Sequence, residues 1–117
     1  MEKIPFCSHN HMEIKEIEEV IELHDESNLE RLSEFFKAFA DPTRLRIIHA
    51  LSREEMCVCC LAECVGMSQS AVSHQLRYLR GINIVKCRRD GKSIIYSLTD
   101  AHIVHIYGEG VIHIMEN

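Results

Sequence analysis

The chain lacks any apolar run that approaches the roughly 18 residues of a membrane-spanning helix, and its first residues lack the charged-then-apolar pattern of a secretory signal. These absences predict a cytoplasmic protein with no membrane partner. The sequence also lacks a recognisable set of nucleophile, base and oxyanion donor, which argues against an enzyme with a small-molecule substrate. With 117 residues, 46% of them hydrophobic, there is room for one domain with one core.

Positive charge is scarce overall, since the formal net charge is −5. The acidic excess lies at the N-terminus, where residues 1–34 hold ten Asp or Glu against three Lys or Arg. Residues 67–96 instead hold six Lys or Arg against a single Asp. Because binding to DNA phosphates requires only a local basic patch, the overall acidity does not exclude DNA as a partner.

Cysteine is abundant, but its spacing argues against disulfides. Four of the six cysteines fall within eight positions, where bridging geometry is poor: Cys57, Cys59, Cys60 and Cys64. Thiolate chemistry is the better interpretation of this cluster. Cys60 and Cys64, which are one helical turn apart, are expected to be core thiols.

Residues 56–80 have the pattern of two helices joined by a tight turn. Gly66, the only glycine before residue 81, stands where one apolar period ends, and Ser68 can cap a second helix. One face of this second helix is apolar, while the other carries short hydrogen-bonding groups and cations that suit a major groove. The segment is therefore predicted to be a helix-turn-helix. Its predicted DNA-contacting residues are Ser68, Gln69, Ser70, Ser73, His74, Gln75 and Arg77.

A β-hairpin is predicted directly after the second helix. Residues 82–88 and 93–98 are rich in β-branched and apolar side chains, and an Asp-Gly pair lies between them. A hairpin with a cationic tip at this place is typical of a wing. Three of its residues are predicted to contact phosphates or the minor groove: Arg88, Arg89 and Lys92.

Helical spacing of apolar residues extends over most of the remaining chain. Helices are predicted over residues 13–23, 29–40, 43–51 and 100–116. In the second of these, four side chains are expected to face the core: Leu32, Phe35, Phe36 and Phe39. His49 in the third is expected to be structural. Residues 1–12 have no period.

This order of elements, with the segments FADPTRLRII, MCVCCLAE, SQSAVSHQLRYLR and RRDGKSIIYSL, resembles the ArsR/SmtB family of metal-sensing winged-helix repressors. The resemblance extends from about residue 29 to residue 116. Within the family the chain most resembles the cadmium, lead and zinc sensors of the CadC type, because it has an N-terminal cysteine as well as the thiol cluster. It implies a mainly α fold with a β-hairpin wing, and a homodimer that binds operator DNA when metal-free and releases it when metal binds. In this interpretation residues 1–12 form a flexible metal-binding arm, and residues 13–117 form a winged helix-turn-helix domain with N- and C-terminal dimerisation helices.

The resemblance implies a thiol-rich site for Zn(II), Cd(II) or Pb(II). Cys57 and Cys59 open the first helix of the pair, where a helix N-terminus favours the thiolates that soft metals require. Similar sensors complete the site with cysteines from the partner's N-terminal arm. Cys7 matches the first of these, and His11 stands where a second cysteine is usual. Because nitrogen shifts the preference toward zinc, the choice among the three metals stays open.

Arsenite is an alternative inducer, although arsenite sensors carry a third cysteine where this chain has Ala62. Cys60 could supply that sulfur instead. A thiol-redox response is a further alternative. Metal storage without a DNA role ranks last, because it leaves the basic helix face and the wing unexplained.

A second metal site is implied in the C-terminal helix. His102 and His113 are eleven residues apart, about three turns or roughly 16 Å, so one helix cannot bring both to one ion. Two antiparallel helices in a two-fold dimer can do so. Each site would then use Asp100 and His102 of one chain with His113 and Glu116 of the other. His105 is expected to be a bystander or to support one of the ligands. The same four donors could instead form only a polar seam of the dimer.

Overall fold

The computed structural model describes residues 26–116. The predicted helix over residues 13–23 and the arm that carries Cys7 and His11 lie outside them. The chain divides into two compact units, residues 1–33 and 34–117, and of the first the structure describes only the start of one helix. The described elements, in order, are α1 (Glu26–Lys37), α2 (Pro42–Arg53), β1 (Met56–Cys57), α3 (Val58–Val65), α4 (Gln69–Gly81), β2 (Val85–Asp90), β3 (Ser93–Leu98) and α5 (Ala101–Met115).

The three strands form one antiparallel sheet in the order β1-β3-β2. Strands β2 and β3 pair from Val85 opposite Leu98 to Asp90 opposite Ser93, and Gly91 in the turn between them has a φ of 64°. The hairpin predicted from the sequence is confirmed. Its first strand begins later than predicted because α4 continues to Gly81 and Asn83, at a φ of 61°, turns the chain. The two-residue β1 had not been predicted.

The core lies between α2, α3, α4 and the sheet. Its largest fully buried side chains are Ile47, Ile48, Leu61, Val72, Leu76, Leu79, Ile84 and Val85. In α2 and α4 the buried residues recur at helical spacing, so one face of each of these two helices is buried. Within residues 26–116 no helix is long and apolar enough to cross a membrane.

The predicted burial of Leu32, Phe35, Phe36 and Phe39 is wrong in part. Phe36 is 51% exposed, and Leu32 is 40% exposed. Phe35 and Phe39 are partly buried against the core. The Phe35 ring packs edge-on against those of Phe36 and Phe39, with centroids 5.4 and 5.2 Å apart. The rings therefore contact one another, and the core covers only part of this face.

Arg44 in α2 joins three elements in a way that the sequence did not indicate. Asp41 caps the helix by accepting a hydrogen bond from the Arg44 amide at 3.0 Å. The Arg44 guanidinium donates to the carbonyls of Lys37 at 2.9 Å and Ala38 at 3.2 Å, and lies over the Tyr78 ring at 4.6 Å from its centroid. The Arg44 side chain thus connects the end of α1 and the start of α2 with the second half of α4.

Candidate DNA interface and metal ligands

The turn between α3 and α4 follows from two local residues. Gly66 has a φ of 71° and a ψ of 37°, a left-handed conformation that ends α3 and that glycine adopts without strain. Ser68 then caps α4, since its hydroxyl oxygen accepts a hydrogen bond from the Ala71 amide at 3.1 Å. The helix-turn-helix predicted from the sequence is confirmed.

The polar face of α4 is open to solvent. Most of the residues predicted to contact DNA are exposed on this face: Gln69, Ser70, Ser73, His74 and Arg77. Gln75 is partly buried. Val72, Leu76 and Leu79 lie on the opposite face, within the core. Burial of that face fixes the rotation of α4 and leaves the hydrogen-bonding groups available to a duplex. Ser68 already uses its oxygen for the cap, so its role in the structure is at least partly local.

The wing presents two exposed cations near its tip, Arg89 and Lys92. Arg88 points elsewhere, since its guanidinium forms an ion pair with the carboxylate of Glu55. The hydrogen bond and the negative charge of Glu55 raise the pKa of Arg88. Because the negative charge of Glu55 compensates the positive charge of Arg88, Arg88 attracts a phosphate less strongly than Arg89 or Lys92 does.

The thiol cluster begins where β1 becomes α3. Cys57 is partly buried and occupies the N-cap position of α3, while Cys59, Cys60 and Cys64 are exposed. The expectation that Cys60 and Cys64 are core thiols is therefore wrong. The buried positions of α3 are Leu61 and Ala62, and the two cysteines fall outside that face. Cys87 lies on β2, an edge strand of the sheet, and is partly buried.

Cys57 and Cys60 influence each other's ionisation. As a neutral thiol Cys57 makes no capping hydrogen bond, but the amide of Cys60, and then its thiol, stabilise the thiolate and lower the pKa of Cys57. The pKa of Cys60 is raised, first because its thiol donates a hydrogen bond to Cys57 and then by the negative charge there. Cys57 is therefore the first of the pair to become a thiolate.

The C-terminal helix places two of its four predicted donors together. Asp100 caps α5, and its Oδ1 accepts a hydrogen bond from the His102 amide at 2.9 Å and lies 3.1 Å from His102 Nδ1. His113 and Glu116 are exposed at the other end of the helix. Across residues 26–116, no three His, Cys, Asp or Glu side chains of one chain are grouped closely enough to hold an ion. A four-donor site of the predicted kind therefore needs ligands from outside this part of the chain.

Helix α5 also contacts α2 and leaves an apolar surface uncovered. The Tyr107 hydroxyl lies 2.8 Å from Nδ1 of His49. A cavity of about 750 Å³ lies beside this contact, between α2, α3 and α5. Large apolar side chains are exposed along the helix, a feature typical of a protein–protein contact: Val104, Ile106, Val111, Ile112, Ile114 and Met115.

A winged helix-turn-helix with an open polar face on its second helix and a cationic wing tip defines a DNA-binding protein. The arsR family of bacterial regulatory proteins matches residues 41–86, from the cap of α2 into β2. Over 117 residues the chain is 42% identical to the transcriptional repressor SmtB homolog of Synechocystis sp., an alignment that covers 99% of this chain and 89% of the relative. The chain belongs to the ArsR/SmtB family of metal-responsive transcriptional repressors.

Two further relatives are named after different elements, one after cadmium and one after antimony. The chain is 39% identical over 83 residues to the cadmium resistance transcriptional regulatory protein CadC homolog of Staphylococcus aureus, which covers 70% of this chain and 69% of the relative. The structure also superposes on the crystal structure of the antimony-specific transcriptional repressor AntR with a TM-score of 0.70 at 35% identity. This alignment covers 79% of this chain and 84% of the AntR chain. These relatives are transcriptional regulators, not enzymes.

Proposed function

We propose that this chain is a cytoplasmic homodimeric repressor that binds operator DNA when metal-free and releases it on binding Cd(II), Pb(II) or Zn(II). The observation that carries the proposal is the position of the thiols. Cys57 and Cys59 lie at the start of α3, whose other end sets the Gly66 turn into the recognition helix α4. A ligand held at the start of α3 therefore acts on the element that positions α4.

Support for the DNA partner comes from charge and exposure. The polar face of α4 and the tip of the wing are both open and together carry Arg77, Arg89 and Lys92. Side chains such as Ser70 and His74 would reach base edges, and the wing cations would contact phosphates. In helix-turn-helix proteins the second of the two helices, here α4, enters the major groove.

Support for a homodimer comes from α5. Its exposed apolar side chains, among them Ile114 at 68% and Met115 at 76%, would be covered by an identical helix. In a two-fold arrangement the helices run antiparallel, so the end of one lies beside the start of the other. Asp100 and His102 of one protomer would then meet His113 and Glu116 of its partner.

The donor sets fit the proposed metals. Cys57 and Cys59, with Cys7 and His11 of the partner's arm, would form the thiol-rich site, and soft thiolates suit Cd(II) and Pb(II) as well as Zn(II). The four oxygen and nitrogen donors of α5 would suit Zn(II). A bound ion supplies a cross-link between protomers. This chain's own contribution is to connect each set of ligands to α4, through α3 in one case and through the Tyr107–His49 contact with α2 in the other.

The proposal is tested with single thiol variants in the full chain. Cys57→Ser and Cys59→Ser should each abolish the ultraviolet thiolate-to-metal charge-transfer band with Cd(II), and the protein should stay bound to DNA in its presence. Cys7→Ser should weaken the band and raise the Cd(II) concentration needed for release. Cys87→Ser, which changes a cysteine on β2, is the matched control and should behave as the unmutated chain. A full Cd(II) band and normal release in Cys57→Ser would refute the thiol site.

The alternative function is a response to arsenite, to antimonite or to thiol oxidation. The exposure of Cys60 next to Cys59 supports this alternative. A trivalent ion takes three sulfurs, and Cys60 could provide the third. Release of DNA by arsenite or antimonite but not by Cd(II), Pb(II) or Zn(II) would select the first form of this alternative. Release by peroxide without metal, reversed by a dithiol reductant, would select the second.

A further inference from the structure

The ion pair between Arg88 and Glu55 connects the wing to a part of the chain outside the hairpin. The Arg88 guanidinium donates a hydrogen bond to Oε1 of Glu55, and the two residues are 33 positions apart in the sequence. Glu55 lies in the short connection between the end of α2 and the start of β1. One of the wing cations is therefore paired with an acidic residue that the hairpin does not contain.

The strand register places this pair on the outer face of the sheet. Arg88 of β2 is opposite Ile95 of β3, and Ile95 is opposite Cys57 of β1. Tyr96, the next residue of β3, packs against the core. Because successive residues of a strand point to opposite faces, the row that contains Arg88 faces away from the core. The side chains of Arg88 and Glu55 are 55% and 48% exposed, so both partners of the pair are open to solvent.

We propose that Glu55 withholds Arg88 from DNA and thereby limits the affinity of the wing for the duplex. A carboxylate and a phosphate both accept charge-assisted hydrogen bonds from a guanidinium, so they compete for the same donor groups. Each cation that contacts a phosphate releases counterions and raises the affinity for DNA. Of the three wing cations predicted to contact the duplex, Arg89 and Lys92 then act on phosphates, while Arg88 stays with Glu55.

Glu55 has this role within the proposed function, since the inference rests on DNA binding by the wing and not on the choice of metal. An exposed ion pair is weak, so Glu55 adjusts the affinity for DNA by a small factor and does not abolish binding. Each phosphate contact that is withheld lowers the affinity that an inducing ion has to overcome. Glu55 therefore makes release from the operator easier.

The test measures how tightly the reduced, metal-free full chain binds a random-sequence duplex over a range of salt concentrations. Glu55→Gln keeps the size of the side chain and removes its charge. The affinity should rise about twofold to fivefold for each wing that contacts the duplex, the factor by which an exposed ion pair holds its partners. The slope of log affinity against log salt should steepen by about 0.9 for each wing, the value of one added phosphate contact. Glu54→Gln, which removes the adjacent exposed carboxylate, is the matched control and should leave the slope unchanged.

The gain in affinity should depend on Arg88. In a chain that already carries Arg88→Ala, the further change Glu55→Gln should alter neither the affinity nor the salt slope. In the unmutated chain the NMR signal of the Arg88 guanidinium should keep its position when duplex is added, whereas that of Arg89 should shift. The proposal is overturned by a Glu55→Gln effect that is absent, that Glu54→Gln reproduces or that persists without Arg88, and equally by a shift of the Arg88 signal.

These measurements keep the role of Glu55 separate from the proposed function. If Cd(II), Pb(II) and Zn(II) fail to release operator DNA while Glu55→Gln tightens binding through Arg88, the proposed inducers are wrong and the role of Glu55 stands. If an inducing ion releases the DNA while Glu55→Gln binds as the unmutated chain does, the proposed function stands and the role of Glu55 is wrong.

Discussion

The hydroxyl of Tyr107 in α5 lies 2.8 Å from Nδ1 of His49 in α2, and the two rings are 5.7 Å apart. This contact connects two helices with different roles. Helix α2 packs in the core against the helix-turn-helix, whereas α5 carries the predicted zinc ligands. A displacement of α5 on metal binding would stretch or break this hydrogen bond between Tyr107 and His49.

Removal of that hydroxyl should weaken the coupling between α5 and the DNA-binding face. Tyr107→Phe keeps the ring and loses one hydrogen bond, so the free energy of unfolding should fall by about 0.5–1.5 kcal/mol. Operator affinity without metal should be retained, and the decrease that Zn(II) causes should become smaller. Fluorescence anisotropy with and without Zn(II) measures this effect. Tyr96→Phe in β3 is the matched control, and an unchanged Zn(II) effect in Tyr107→Phe would exclude the hydrogen bond from the coupling.

The exposed face of α4 should determine sequence preference. Ser70→Ala and His74→Ala should each weaken binding to an operator selected from random duplexes by about 1–3 kcal/mol, the usual value of a lost base contact. Arg89→Ala should weaken binding to all duplexes alike and reduce the salt slope by about one, because it removes a phosphate contact. Lys37→Ala at the end of α1 serves as a control cation. Unaltered operator affinity in both α4 variants, with the fold intact, would place the interface elsewhere.

The predicted α5 site should appear only when two chains combine their halves. A homodimer of His102→Ala or of His113→Ala has no intact site, whereas a mixed dimer of the two regains one. Cobalt absorption typical of a tetrahedral site should therefore be absent from each variant and return after subunit exchange. If exchange is verified and the unmutated dimer gives the spectrum, its absence from the mixture contradicts the cross-subunit arrangement.

Thiol reactivity should follow the opposite shifts of the Cys57 and Cys60 pKa values. The pKa of Cys57 is lowered and that of Cys60 raised, so near neutral pH Cys57 has the larger thiolate fraction. Iodoacetamide should modify Cys57 first even though Cys60 is more exposed, and the difference should narrow as rising pH ionises Cys60. Peptide mass spectrometry follows both sites. Faster labelling of Cys60 at neutral pH would show that access outweighs ionisation.

Local signals made most of the DNA-binding half predictable. Gly66 and Ser68 lie in the turn that they specify, and the apolar spacing of Val72, Leu76 and Leu79 set the buried face of α4. The hairpin followed from one Asp-Gly pair between two β-branched runs. In each case the physical cause lies within a few residues of the element it determines.

Features that depend on distant partners could not be predicted. Strand β1 exists because Met56 pairs with Tyr96, forty residues away. Arg44 gives no local indication that it contacts both the end of α1 and the Tyr78 ring. Cys60 and Cys64 were misplaced because spacing alone does not distinguish a thiol that packs in the core from one at the surface.

The most direct test of metal-controlled repression is the affinity of the reduced full chain for operator DNA, measured by anisotropy without metal and then with Cd(II), Pb(II) or Zn(II). We expect tight, sequence-dependent binding by a dimer without metal and a loss of at least about tenfold in affinity, 1.4 kcal/mol or more, when an inducing ion is added. Chelation should restore binding. Operator affinity that is the same with and without all three ions would contradict metal-controlled repression.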